Sequence, residues 1–236
     1  MKRKILLACG VLSSLLYIAM NIFVPMQYEG YNSASQTVSE LSAIDSPTRT
    51  LWVSLAFVYT LLVIAFGLGV WKLFERNRNL RIAGALMVLN VVIGLFWPPM
   101  HQREVLAAGG GTLTDTLHIV FTMITVPLFL LTIGFGASSF GKQFRIYSII
   151  TIVALIVFGV LTGLDSPRME ANLPTPLIGV WERISIGAYM LWVAMFAIAL
   201  LQKEKNDVAI TATIKENLRS NLTGKNQISK IKKIVS

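Results

Sequence analysis

Six long apolar stretches, at residues 5–25, 51–74, 82–98, 117–138, 146–164 and 180–201, constrain this chain more than any motif in it. Each approaches the roughly 20 residues that, at about 1.5 Å rise per residue, cross about 30 Å of hydrocarbon. Mean hydropathy of +0.65 agrees, and only 14% of the 236 residues are charged. Six spans and their connections consume nearly the whole length, so no separate soluble domain fits. The expected fold class is all-α: a polytopic membrane protein, with a six-helix transmembrane domain over residues 1–201 and a basic cytoplasmic tail over 202–236.

The basic residues orient it. Lys2, Arg3, Lys4, Lys72, Arg76, Arg78, Arg81, Lys142, Arg145 and the eight basic residues of the tail all fall on one side, and only Arg49, Arg103, Arg168 and Arg183 on the other. Cytoplasmic loops retain Lys and Arg, so both termini are expected inside (N-in/C-in), in a bacterial plasma membrane. The same partition accounts for the net charge of +9. In a soluble chain that charge would suggest nucleic acid, but here it reflects topology and no nucleic-acid partner is expected. Residues 1–8 look like the start of a secretory signal, yet the apolar run behind them is too long, and it reads as an uncleaved first span. With one cysteine, Cys9, an internal disulfide is excluded and a packing role follows.

Prolines punctuate the outer exits of the odd spans, in Val24-Pro25-Met26, Pro98-Pro99-Met100 and Ser166-Pro167-Arg168-Met169, where a missing N–H and a ring clash should stop a helix. Within the first outer loop, Thr37-Val38-Ser39-Glu40 has capping-box spacing, and Val38, Leu41 and Ile44 recur every third residue. That pattern suits a short helix lying on the membrane. Ser46 is placed to cap span two, with Pro47 at the first helical position. Pro127 should kink span four. In the tail, Ile210, Ile214, Leu218 and Leu222 form an apolar stripe flanked by Lys215 and Arg219, suited to an anionic lipid surface or to a solvated tail.

Ionisable residues concentrate at the outer mouth. The first loop brings Glu40, Asp45 and Arg49, the second His101, Arg103, Glu104, Asp115 and His118, and the third Asp165, Arg168, Glu182 and Arg183. Charges at a helix mouth cost several kcal/mol unless paired or hydrated, so they should face the bundle interior or a watery cavity. Asp115 and His118 share a helical face, which allows an ionised Asp115 to meet a His118 donor. Glu182 and Arg183 point about 100° apart, with Arg49, Asp115 and Asp165 as expected partners. The candidate pocket therefore comprises His101, Asp115, His118, Glu182, Arg183, Asp165, Arg49 and Glu40.

Three chemistries use these residues. A pocket that binds or translocates a lipid headgroup or small molecule needs only the charges. A metal-dependent membrane hydrolase would place zinc on His101, His118 and Asp115 and leave a position open for water. Ser39 or Ser42 with a histidine would make a serine hydrolase, although no nucleophile-elbow glycines surround either serine. An accessory subunit meeting a partner protein is the non-catalytic alternative. Polar residues inside the spans, among them Asn21, Asn90, Thr122 and Thr125, include no acid at mid-depth, which argues against an ion-coupled pump.

The ordered set Leu41-Ser42-Ala43, Pro98-Pro99-Met100-His101, Asp115-Thr116-Leu117-His118 and Gly179-Val180-Trp181-Glu182-Arg183 resembles the prokaryotic membrane family called domain of unknown function 998, over about residues 5–201. Members carry glycine after the Leu-Ser-x-Leu/Ile turn, where this chain has Asp45. The resemblance implies a site at the outer mouth around His101, Asp115, His118, Glu182 and Arg183, and it implies no particular activity.

Overall fold

The structure is a computed structural model that describes the backbone of residues 2–235 and the side chains of residues 3–210 and 213–215. It is helical, without strands among the described residues. The long helices are α1 (Lys2–Phe23), α2 (Arg49–Leu73), α3 (Arg78–Gly94), α5 (Leu113–Ser138), α6 (Lys142–Glu170) and α7 (Ile178–Val235), with a short α4 (Arg103–Ala107) between α3 and α5. Two compact units result, Met1–Ala197 and Ile198–Ser236.

Among the described residues, five helical segments are long and apolar enough to cross a membrane: Arg3–Gln27, Arg49–Leu73, Leu113–Ser138, Lys142–Glu170 and Ile178–Lys215. Their outward faces are apolar as well. Leu12, Leu15, Ile22, Phe57, Leu61, Met123, Ile149, Ile150 and Val160 are all exposed, an arrangement that is costly in water and natural in lipid. Helix α3 has 17 residues, only about 25 Å at helical rise. It stops at Gly94 rather than at Pro98, and hydrogen-bonded turns carry the chain on through Trp97.

Small residues set the packing of the first unit. Gly67 on α2 and Gly84 on α3 oppose each other so closely that a Cβ on Gly84 would lie 2.6 Å from the Gly67 carbonyl oxygen, the small-residue contact by which helices associate in lipid. From α7, Trp192 and Phe196 are fully buried. The Trp192 indole lies against Gly136 of α5 and donates its N–H to the Ser148 hydroxyl of α6 at 2.8 Å. Phe196 meets Phe66 of α2 edge-on.

Several local expectations are corrected. Thr48, not Ser46, precedes α2, because the Ser46 hydroxyl is turned to the Leu41 carbonyl and the Thr48 hydroxyl. Residues Ser39–Ser42 form one 3₁₀ turn rather than a surface helix, and Val38 and Leu41 are buried in a cluster with Met20, Val24 and Trp52. Helix α6 continues through Pro167 to Glu170, since a proline in the last turn forfeits a single helical hydrogen bond. In the tail, Ile210 and Ile214 are exposed, whereas the side chains of Lys215's successors in the stripe, Leu218, Arg219 and Leu222, lie outside the described residues.

Gly84→Ala should lower stability by about 1–3 kcal/mol through overpacking, read as a fall in the thermal unfolding midpoint in detergent. Gly159→Ala, where an added Cβ meets nothing within 4 Å, should leave that midpoint within a degree or two.

Candidate functional site

One end of the first unit gathers the loop between α1 and α2, the segment around α4, and the start of α7. Glu40 organises them. Its carboxylate is 2% exposed and accepts from Arg103 at two oxygens, Nε to Oε1 at 2.8 Å and Nη2 to Oε2 at 2.9 Å. It also accepts from the Thr37 backbone N–H at 2.6 Å and the Thr37 hydroxyl at 2.9 Å. Paired, bidentate and saturated with donors, the two charges meet the conditions under which a buried ion pair is tolerated. Burial works against the Arg103 charge, but hydrogen bonding and attraction to Glu40 override it and hold the guanidinium above its ordinary pKa. Arg103 also donates to the Thr175 hydroxyl and the Ser35 carbonyl, linking loop one to the chain just before α7.

The first turn of α7 grips the same loop. The N–H groups of Gly179 and Val180 both donate to the Ala34 carbonyl, at 2.9 and 3.3 Å, which occupies donors that a helix start otherwise leaves unpaired. Gly179 is required there, because a Cβ would run into the carbonyl oxygens of Ser33 and Gln36. Glu182 accepts from the Val38 N–H. Arg183 donates to the carbonyls of Ser33 and Gln36 and to the Tyr31 hydroxyl, at 2.7, 3.0 and 2.6 Å. Burial pushes the Tyr31 phenol well above its ordinary pKa against the opposing pull of Arg183, so the hydroxyl stays protonated and donates to the Thr37 carbonyl at 2.6 Å.

The expected partners of Glu182 and Arg183 are thereby replaced. Neither residue meets Arg49, Asp115 or Asp165; both bind loop one instead, chiefly through its backbone. Arg49 reaches the Ser42 carbonyl at 2.7 Å, and Asp165 sits half-buried on α6, outside this network.

The histidines also pair differently from the sequence expectation. Asp115 accepts from the His101 backbone N–H at 2.6 Å and lies 2.9 Å from His101 Nδ1, while also accepting from the Thr112 N–H at the start of α5. His118 does not face it. Nδ1 of His118 lies 2.8 Å from the Pro98 carbonyl and 2.9 Å from the Trp97 indole nitrogen. Nε2 lies 3.1 Å from the Ser39 hydroxyl. The Trp97 ring stands edge-on to the imidazole at 81°. Among the described residues no group of three or more His, Cys, Asp or Glu side chains is placed to hold a metal ion.

Sequence reasoning treated Arg103 as one charge among many and missed its pairing, since Glu40 lies 63 residues away. The sequence allows Ser39 or Ser42 to pair with either histidine, and the fold brings Ser39 to His118. Asp45 was noted for standing where the resembling family has glycine. Its φ of 64° lies in the left-handed region that glycine occupies freely and aspartate tolerates.

Replacing Glu40 or Arg103 alone with Met should cost about 3–5 kcal/mol, because each strands a buried charge, and the double replacement should cost clearly less than the two losses added together. Unfolding midpoints of the four proteins in detergent measure this. Asp45→Gly should be neutral or stabilise the fold by up to about 1 kcal/mol, read as an unchanged or higher midpoint.

No curated protein and no solved structure matches the chain. The model of one family, described as protein of unknown function (DUF998), matches residues 11–199. That span covers all of the helices and loops that build the site, and the chain belongs to this DUF998 family.

Proposed function

We propose that this protein is a six-span integral membrane protein of the bacterial plasma membrane, with both termini in the cytoplasm, that binds the headgroup of a membrane lipid or a similar small amphiphile at its extracytoplasmic mouth. The observation carrying this reading is the partly buried His101–Asp115 pair near His118, with Asp115 and His118 on the first turns of α5 and His101 in the segment before α4. The charges that surround loop one are already engaged. Glu40, Arg103, Glu182 and Arg183 bind loop one, so they build the wall, whereas the two imidazoles and the Ser39 hydroxyl retain the partial exposure a ligand needs.

The sixth span is α3. Its 17 residues and the turns that follow through Trp97 reach the depth at which an indole sits comfortably at an interface. Tilt and local thinning of the bilayer accommodate such shortfalls at fractions of a kcal/mol per Å. Orientation rests on the excess of Lys and Arg at the opposite end of the bundle.

Two measurements test this reading. In a Cys9→Ser background, a membrane-impermeant maleimide should label Ser33→Cys in intact cells and Gln143→Cys only after the membrane is opened; the reverse pattern contradicts it. Native mass spectrometry with phosphatidylglycerol should show lipid adducts at least about tenfold weaker in His101→Ala/His118→Ala, a difference of about 1.4 kcal/mol, and unchanged in Lys72→Ala. Equal adducts in all three proteins would contradict a site at the histidines. Stoichiometric zinc in the wild type, lost with either histidine, would favour the metal hydrolase instead.

A further inference from the structure

Resting on that headgroup reading, we propose that Ser39 and His118 form a nucleophile and general-base pair that cleaves a carboxylic ester of the bound amphiphile. Residues 79 apart in sequence place Ser39 Oγ 3.1 Å from His118 Nε2, within reach for proton transfer between a nucleophile and its base. The Pro98 carbonyl, 2.8 Å from Nδ1, supplies the third member, an acceptor for an Nδ1–H that orients the ring as the carboxylate of a catalytic triad does.

Both flanks of Ser39 are anchored. Val38 is bound through its N–H by Glu182, and Glu40 is clamped by Arg103 and Thr37. The serine is thus carried on a short turn whose neighbours are fixed on either side, and its half-buried side chain is directed at the imidazole. Side chains held by such supporting contacts give a site its precision.

The His118 ring has two tautomers in this setting. With the proton on Nδ1 it donates to Pro98, and the Nε2 lone pair faces Ser39. With the proton on Nε2 the ring accepts from Trp97 at Nδ1 and donates to the serine. The first is the reactive form.

In the reaction, Ser39 Oγ bonds to the ester carbonyl carbon as its proton passes to His118 Nε2. The bond from that carbon to the alcohol oxygen then breaks, and the alcohol leaves with the proton from Nε2. Water next attacks the acyl-serine and gives a proton to Nε2. Release of the carboxylic acid returns that proton to Ser39 Oγ.

A fluorophore-bearing fluorophosphonate, added to the full-length protein in phosphatidylglycerol nanodiscs, tests the pair by mapping the adduct. Labelling on Ser39, lost in Ser39→Ala, retained in Ser42→Ala and slowed at least about a hundredfold in His118→Gln, is the expected result. Trp97→Phe, which deletes the donor competing for Nδ1, should label at the wild-type rate or faster. Thermal unfolding of each variant confirms that it is folded. A folded wild type that binds phosphatidylglycerol but gives no Ser39 adduct overturns the pair and leaves the headgroup reading standing. So does labelling indifferent to His118→Gln, or slowed by Trp97→Phe. A folded wild type that neither binds lipid nor reacts overturns both.

Discussion

The buried ion pair between Glu40 and Arg103 is the contact on which the rest of this end of the molecule depends. Two charges withdrawn from water demand complete partners, and here those partners come from three stretches of chain. Thr37 and Ser35 come from loop one and Thr175 from the approach to α7. Satisfying the pair therefore ties loop one, α4 and the approach to α7 into a single arrangement. The loop, which could have been a flexible connection, becomes a fixed lid over the helices.

The start of α7 completes what the ion pair begins. Its first-turn N–H groups, Glu182 and the neighbouring Arg183 all engage the backbone of residues 33–38, so the loop is recognised by shape and hydrogen bonding rather than by charge. The absence of a side chain at Gly179 allows the approach. With both ends of the 37–40 segment held, Ser39 is presented to α5 at a defined position, and the position of His118 acquires a meaning that its neighbours in sequence do not reveal.

The helices were largely legible from apolar length, and the concentration of charge at one end was legible from residue types alone. Their partners were not. The shortfalls share a physical origin: a hydroxyl or carboxylate chooses among competing donors and acceptors that only the folded chain assembles. Ser46 has the right residue type for a cap, yet its hydroxyl turns to the Leu41 carbonyl. Asp115 stands three residues from His118 on one face, yet the His101 N–H and ring come closer. Glu182 and Arg183 were expected to seek charges and found backbone. Local spacing carried the Thr37–Glu40 contact correctly, because only three residues separate the partners, while the docking of that turn into the bundle depended on Met20, Val24 and Trp52 from two other helices.

Rigidity of loop one, held through Glu40, Arg103, Glu182 and Arg183, is the central requirement for presenting Ser39 to His118. Hydrogen exchange of residues 36–41, followed by mass spectrometry in nanodiscs, tests that requirement most directly. The amides of Thr37 and Val38, which donate to Glu40 and Glu182, should exchange at least about a hundredfold more slowly than in an unstructured peptide, and Arg103→Met should abolish most of that protection. Exchange in the wild type at the unstructured rate would contradict the account.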